Sequence, residues 1–103
     1  MQARVKGKVL EFDWDKWNLD KSYLKHGILP KETEEVFTDS ESIVLPDIKH
    51  SQKEERFIIA GKTLEKVNVF VVFTFRKGKV RVISARRMHL KEVERYEKIK
   101  KNT

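Results

Sequence analysis

Val67-Asn68-Val69-Phe70-Val71-Val72-Phe73-Thr74-Phe75-Arg76-Lys77-Gly78-Lys79-Val80-Arg81-Val82-Ile83-Ser84-Ala85 is the stretch that decides the fold class. Its near-continuous apolar run, residues 69–73, reads as a central strand covered on both faces. Lys77-Gly78-Lys79 is a compact connection, and residues 80–85 return as the second strand of a hairpin. Upstream, residues 57–60 form another strand ending at Gly61, and Ile43, Val44 and Leu45 a short one closed by Pro46. The polar stretch 47–54 between them is expected to be a loop. Downstream, residues 89–101 carry Leu90, Val93, Tyr96 and Ile99 at steps of three. That spacing predicts a helix with this stripe on the core and Lys91, Glu94, Arg95 and Lys98 outside.

Before the sheet the period differs. Residues 5–12 are apolar enough for a first strand, although Gly7 weakens it. Asp15 suits the N-cap of a helix over residues 16–25, and Gly27 the left-handed position past its end. On that helix Trp17, Tyr23 and Leu24 make the apolar side, while Lys16, Asp20 and Lys21 face water. Pro30 fits the first turn of a second helix ending near Phe37, with Glu32, Glu34 and Glu35 toward its positive end. Thr38-Asp39-Ser40 is turn chemistry. The expected architecture is α+β: an antiparallel sheet of about four to five strands, two N-terminal helices and a C-terminal helix. With 103 residues, no internal repeat and no linker-like stretch, residues 1–103 are expected to form one domain.

Charged residues make up 38% of the chain and the net charge is +7, which favours a polyanionic partner. No cysteine is present, so disulfides, thiolate metal sites and cysteine nucleophiles are excluded together. No apolar segment follows the basic N-terminus, so no signal peptide is expected, and residues 69–73 are far short of the ~20 a membrane helix needs. A soluble, cytoplasmic protein with no membrane association is the expectation.

Neither a phosphate-binding G-x-x-x-x-G-K-[ST] loop nor a G-x-G-x-x-G turn occurs, and the G-x-S-x-G elbow is absent. His26, His50 and His89 are scattered without metal-ligand spacing, so neither metal nor cofactor is expected. What remains is a set of arginines at strand ends: Arg56, Arg76, Arg81, Arg86 and Arg87. Simple alternation puts Arg81 with Ile83 and Ala85 on one face, and Arg86 with Val80, Val82 and Ser84 on the other. Guanidinium forks match phosphate oxygens in pairs. Charge alone equally allows these arginines to pair with Glu54, Glu55, Glu92 and Glu97. His50, in a polar loop, is either a general acid or base or simply solvated. His26 suits the C-terminus of its helix, and His89 takes an N-cap position that histidine fills poorly. Trp14, beside Phe12 and Trp17, is read as core ahead of a base-stacking role.

Several stretches together resemble the BrnT family, the toxin half of a bacterial type II toxin–antitoxin pair. They are Phe12-Asp13-Trp14-Asp15 with Asn18, Lys25-His26-Gly27, Glu35-Val36-Phe37 with Asp39, then Asp47, His50-Ser51, Glu54-Glu55-Arg56 and Gly61. Val71-Val72-Phe73-Thr74, Ile83-Ser84-Ala85-Arg86-Arg87 and Glu92 with Tyr96 complete the series, which spans residues 12 to about 97. Met88-His89 stands where the family usually has Ala-Thr, Val93 where an arginine is frequent, and Phe75 where a polar residue is common.

The resemblance implies a RelE-like fold and a ribonuclease that inhibits translation. It also implies a BrnA-like antitoxin partner, with operator DNA engaged only through the toxin–antitoxin complex. Metal-free RNA cleavage needs a base for the 2′-hydroxyl proton, cations for the crowded phosphorane and an acid for the leaving oxygen. Arg86 and Arg76, then Arg56, are the expected charge stabilisers. His50 is the leading acid or base, with Glu55 and Tyr96 as substitutes. Lys25, Lys77, Lys79 and Arg87 are expected to hold the phosphate backbone. The rival expectation is a non-catalytic basic module that binds nucleic acid or an antitoxin.

Overall fold

The computed structural model describes residues 2–5, 8–50 and 53–102, giving the backbone alone for 2–5, 8, 9 and 50. At its centre lies the expected hairpin, β5 (Asn68–Arg76) and β6 (Lys79–Arg87), with Arg76 opposite Lys79. Lys77 and Gly78 both take positive φ, 53° and 77°. Two such residues in succession give the tight turn whose twist matches that of the strands. β4 (Phe57–Lys62) pairs with the other side of β5, and the short β3 (Ile43–Pro46) with β4, all antiparallel, giving one sheet in the order β3-β4-β5-β6. The stretch between β3 and β4 holds a short 3-10 turn, Ile48–His50.

One irregularity decides which side chains share a face. Val72 pairs with Ser84 but Phe73 pairs with Val82, so Ile83 is an extra residue in β6. Such a bulge shifts the phase of alternation by one. Val80, Val82 and Ala85 are therefore all buried on one face, while Ser84 and Arg86 fall on the other. Arg81, opposite Thr74, shares that second face. The regular alternation expected from sequence, which separated Arg81 from Arg86 and set Arg86 beside Val80 and Val82, is corrected accordingly.

The first face carries the main core. Val69, Val71, Phe73, Val80, Val82 and Ile59 meet Val36 and Phe37 of α2 (Pro30–Thr38) and Phe12 from the N-terminal segment. The Phe37 ring stands edge-on to Phe12 and Phe73, with centroids 5.1 and 5.0 Å away, a favoured aromatic geometry. Gly61 sits where a Cβ would come within 3.1 Å of both Val36 Cγ1 and Ser42 Cβ, so α2 approaches β4 closely. The second face has a smaller cluster, Ala60, Met88 and Tyr96 with Ile43, Phe70 and Val93, beneath α3 (Leu90–Lys101).

Three local expectations change. The single strand over 5–12 is a pair, β1 (Gln2–Val5) antiparallel to β2 (Lys8–Glu11), with Val5 opposite Lys8; Gly7 lies outside the described residues. The first helix, α1 (Lys16–Leu19), runs into a wider π turn, Asp20–Leu24, and faces the opposite way from its sequence pattern. Asn18 and Ser22 are buried, whereas Trp17 is 78% exposed and Tyr23 and Leu24 also face water. The cause is the outer edge of β6. Asn18 Nδ2 donates to the Val82 carbonyl and to the Asp13 carbonyl, both at 2.9 Å, and the Asp13 N–H donates to Val80 O. Satisfying the open edge of a strand outweighs burying the apolar side chains of one short helix. On α3, Tyr96 is buried and Val93 half-buried, but Leu90 is exposed and Ile99 largely so. The patch beneath α3 is short, and its end turns run past it.

The ends of the helices follow the expected chemistry more closely. Asp15 caps α1 through Oδ1, which accepts from the N–H groups of Trp17 and Asn18. Gly27 takes φ 71° beyond its end. His89 occupies the N-cap of α3 but does not use its ring for it; Glu92 Oε1 instead accepts from the His89 N–H at 2.7 Å.

Candidate functional site

The second face is built in rows. Cross-strand pairing places Ala60, Phe70 and Arg86 in one row, covered by α3. Leu45, Ile58, Val72 and Ser84 form the next, and Thr74 with Arg81 the one after. Arg56 precedes β4 beside this third row, where its carbonyl accepts from the Asp47 N–H. Arg76 lies one step further along β5 on the same face. Sheet geometry thus gathers Arg56, Arg76, Arg81 and Arg86 on one face.

Each is set by a carboxylate. Arg86 makes a two-pronged pair with Glu92 of α3, Nη1 to Oε1 and Nη2 to Oε2, both 2.9 Å. Its hydrogen bonds hold the Glu92 carboxyl down at about 2, and Glu92 in turn raises the Arg86 guanidinium. The guanidinium also lies over the Phe70 ring, 5.2 Å from its centroid, and reaches the Arg87 carbonyl. Three of the five N–H donors of an arginine fork are then used, leaving two. Arg56 and Arg76 approach the same carboxylate, Glu54, at 3.7 Å each. Arg81, its side chain largely buried, bridges Asp13 and Asp15 at 3.5 and 2.9 Å. It ties the N-terminal segment to the sheet and is structural.

The other expected residues divide. Glu55 is exposed, and its carbonyl accepts from Thr74 Oγ1 at 2.7 Å, which anchors the segment carrying Arg56. His50 closes the 3-10 turn, but its side chain lies outside the described atoms. Tyr96 is buried beside Glu92 on α3, and its hydroxyl lies 3.4 Å from the Glu41 carbonyl, turned from the arginines toward Lys62 and Lys100. Burial raises its pKa. Lys77 and Lys79 are exposed at the hairpin turn, where Lys79 meets Glu11 at 3.7 Å. Lys25 and Arg87 lie at the far end of the sheet, and Arg87, opposite the core residue Val69, is on the other face from Arg86, its Nη1 reaching the His26 carbonyl at 3.4 Å. Along β6 the two ends are about 26 Å apart. Trp14 is half-buried and donates through Nε1 to the buried Glu34 at 2.8 Å, a structural role.

The apolar row Leu45, Ile58 and Val72, which ends at the Ser84 hydroxyl, is not legible in the sequence, because its alignment depends on strand register and on the bulge. Among the described residues no three His, Asp or Glu side chains converge as a metal set would, and no helix is long and apolar enough to cross a membrane.

The α+β chain has a net charge of +7, which favours a polyanionic partner, and gathers its arginines on one sheet face beside carboxylates. A family described as "Ribonuclease toxin, BrnT, of type II toxin-antitoxin system" matches residues 14–92, and the chain belongs to that family. It is therefore a ribonuclease toxin, with an RNA target and an antitoxin partner. No curated protein matches it in sequence.

Proposed function

We propose that the protein is a metal-independent endoribonuclease, one domain of RelE-like fold acting in the cytoplasm, that inhibits translation by cutting RNA on the arginine face. The observation that carries this is the placement of Arg56, Arg76 and Arg86 on one sheet face, around an open apolar row. In the reaction a base takes the proton of a 2′-hydroxyl, whose oxygen attacks the adjacent phosphorus. The 5′-oxygen leaves with a proton from an acid, giving a 2′,3′-cyclic phosphate and a 5′-hydroxyl. Charge builds on the non-bridging oxygens, where guanidinium donors held in advance lower the barrier. Arg86, with two free donors, and Arg76 supply that charge, with Arg56 beside them. His50 is the acid or base, Glu55 the exposed substitute, and Tyr96 the less suited one because its hydroxyl is turned away. Lys77 and Lys79 hold the strand at one end; Lys25 and Arg87 are the less suited holders at the other, because Arg87, opposite Val69, belongs to the other face of the sheet.

The antitoxin is BrnA-like and carries the DNA-binding domain, so the operator is contacted only through the complex. One observation favours a second reading, a non-catalytic binding module: Glu92 and Glu54 already engage the arginines. Expression of Arg86→Ala and Arg76→Ala without antitoxin separates the two. Loss of one such contact is expected to slow cleavage by about 100- to 1,000-fold and to relieve growth arrest. Undiminished toxicity of both variants refutes the assignment, and intact RNA bound tightly by the purified parent supports the module.

A further inference from the structure

We propose that the row Leu45, Ile58, Val72 and Ser84 is the subsite for one unstacked nucleobase of single-stranded RNA. The proposal rests on the ribonuclease reading above and deepens it. The row floors an open groove of about 300 Å³ that α3 leaves uncovered, with the Arg86–Glu92 pair at its rim. Leu45 is 52% exposed and Ile58 and Val72 are half-buried, so this apolar surface meets water among arginine–carboxylate pairs.

The spacing gives the occupant. On β6, Arg86 lies two residues from Ser84, and near β4, Arg56 lies two residues from Ile58 on the opposite side of the row. Each step is about 7 Å. A flat apolar floor is thus bracketed on both sides by guanidinium groups, each held beside a carboxylate. Single-stranded nucleic acid has the complementary order, a charged backbone running past bases that stack on apolar or aromatic surfaces. An apolar side chain of a protein partner would fill the floor equally well but would not use the two donors that Arg86 keeps beyond its bonds to Glu92 and the Arg87 carbonyl. Arg86, already stacked on Phe70, extends a flat surface at the rim. The Ser84 hydroxyl offers a donor and an acceptor to the edge of a base.

The test uses the full-length protein and a short 2′-O-methyl RNA, which has no 2′-hydroxyl to attack with. A series of such RNAs carries one abasic residue moved along the strand. An abasic residue at one position is expected to weaken binding about tenfold, the low end of what stacking contributes, with little effect elsewhere. Leu45→Gln, at an exposed site, and Val72→Thr, nearly isosteric, are expected to reduce that penalty at least threefold. The salt dependence of binding, which counts phosphate contacts, stays as in the parent. Equal binding wherever the abasic residue sits overturns the subsite, while cleavage of ordinary RNA by the same preparation leaves the ribonuclease reading standing. A penalty that persists in both variants places the base elsewhere and also overturns it. Variants that lose antitoxin affinity while keeping the abasic penalty assign the floor to the protein partner. Absence of both binding and cleavage for every RNA removes the parent reading and the subsite together.

Discussion

Replacing Glu92 with glutamine tests the pair that sets Arg86. The substitution keeps the size of the side chain and an oxygen able to accept from the His89 N–H, but removes the charge and one of the two prongs to Arg86. A carboxyl held at about 2 instead of 4.5 corresponds, if undiminished, to roughly 3 kcal/mol. Both side chains keep solvent contact, Glu92 at 27% and Arg86 at 36%, so screening reduces this to about 1–2 kcal/mol. For a chain of this length that lowers Tm by roughly 5–10 °C at neutral pH. The sign with pH follows from linkage. Above about pH 5 the carboxylate is ionised in the folded and unfolded chain alike, and the full difference is present. As pH falls through 4.5 the unfolded chain takes up the proton while folded Glu92 resists until about 2. The stability from the pair is lost across that window, and the gap between parent and Glu92→Gln closes. Thermal melts of both proteins between pH 7 and 2.5 read this directly, since the other carboxylates titrate in both and cancel. A gap that stays constant to pH 3, or none at pH 7, refutes the ionised pair. In an Arg86→Met background the Glu92→Gln effect is expected to shrink to the helix-cap contribution.

Two further substitutions test the inverted first helix. Asn18→Ala strands the buried Val82 carbonyl and removes the bonds to Asp13 O and the Asp15 N–H; chemical denaturation should show a loss of about 2–3 kcal/mol. Trp17→Ala, by contrast, should change stability by less than about 0.5 kcal/mol, because the ring is 78% exposed; a large loss in the same experiment would return Trp17 to the core.

The elements that were legible in the sequence are those whose local chemistry and tertiary role agree. The β5–β6 hairpin carries its turn residues, Lys77-Gly78, in the backbone conformation the turn demands. Pro30 starts α2 and Gly27 ends the preceding helical segment as their backbone preferences dictate. Where a distant element imposes a need, local patterning fails. Trp17, Tyr23 and Leu24 look like a core stripe, yet the unpaired edge of β6 takes Asn18 and turns them outward. Leu90 and Ile99 extend a stripe longer than the patch available to bury it. The arginines were legible as residues and the carboxylates as possible partners. The common face of Arg81 and Arg86 was not, because it depends on one extra residue in the strand between them.

That residue, Ile83, connects fold to chemistry. In a regular strand Arg86 would share a face with Val80 and Val82, both buried, and would enter the main core as an unpaired cation. The phase shift instead puts Ala85, small enough for complete burial, on the core side and sends Ser84 and Arg86 to the open face. It does so just where α3 can bring Glu92 across to meet the guanidinium, and where Phe70 lies directly opposite to stack beneath it. β6 thus serves two ends at once: its first half closes the core with Val80 and Val82, and its second half presents a cation beside an apolar floor. The bulge thus lets one strand do both.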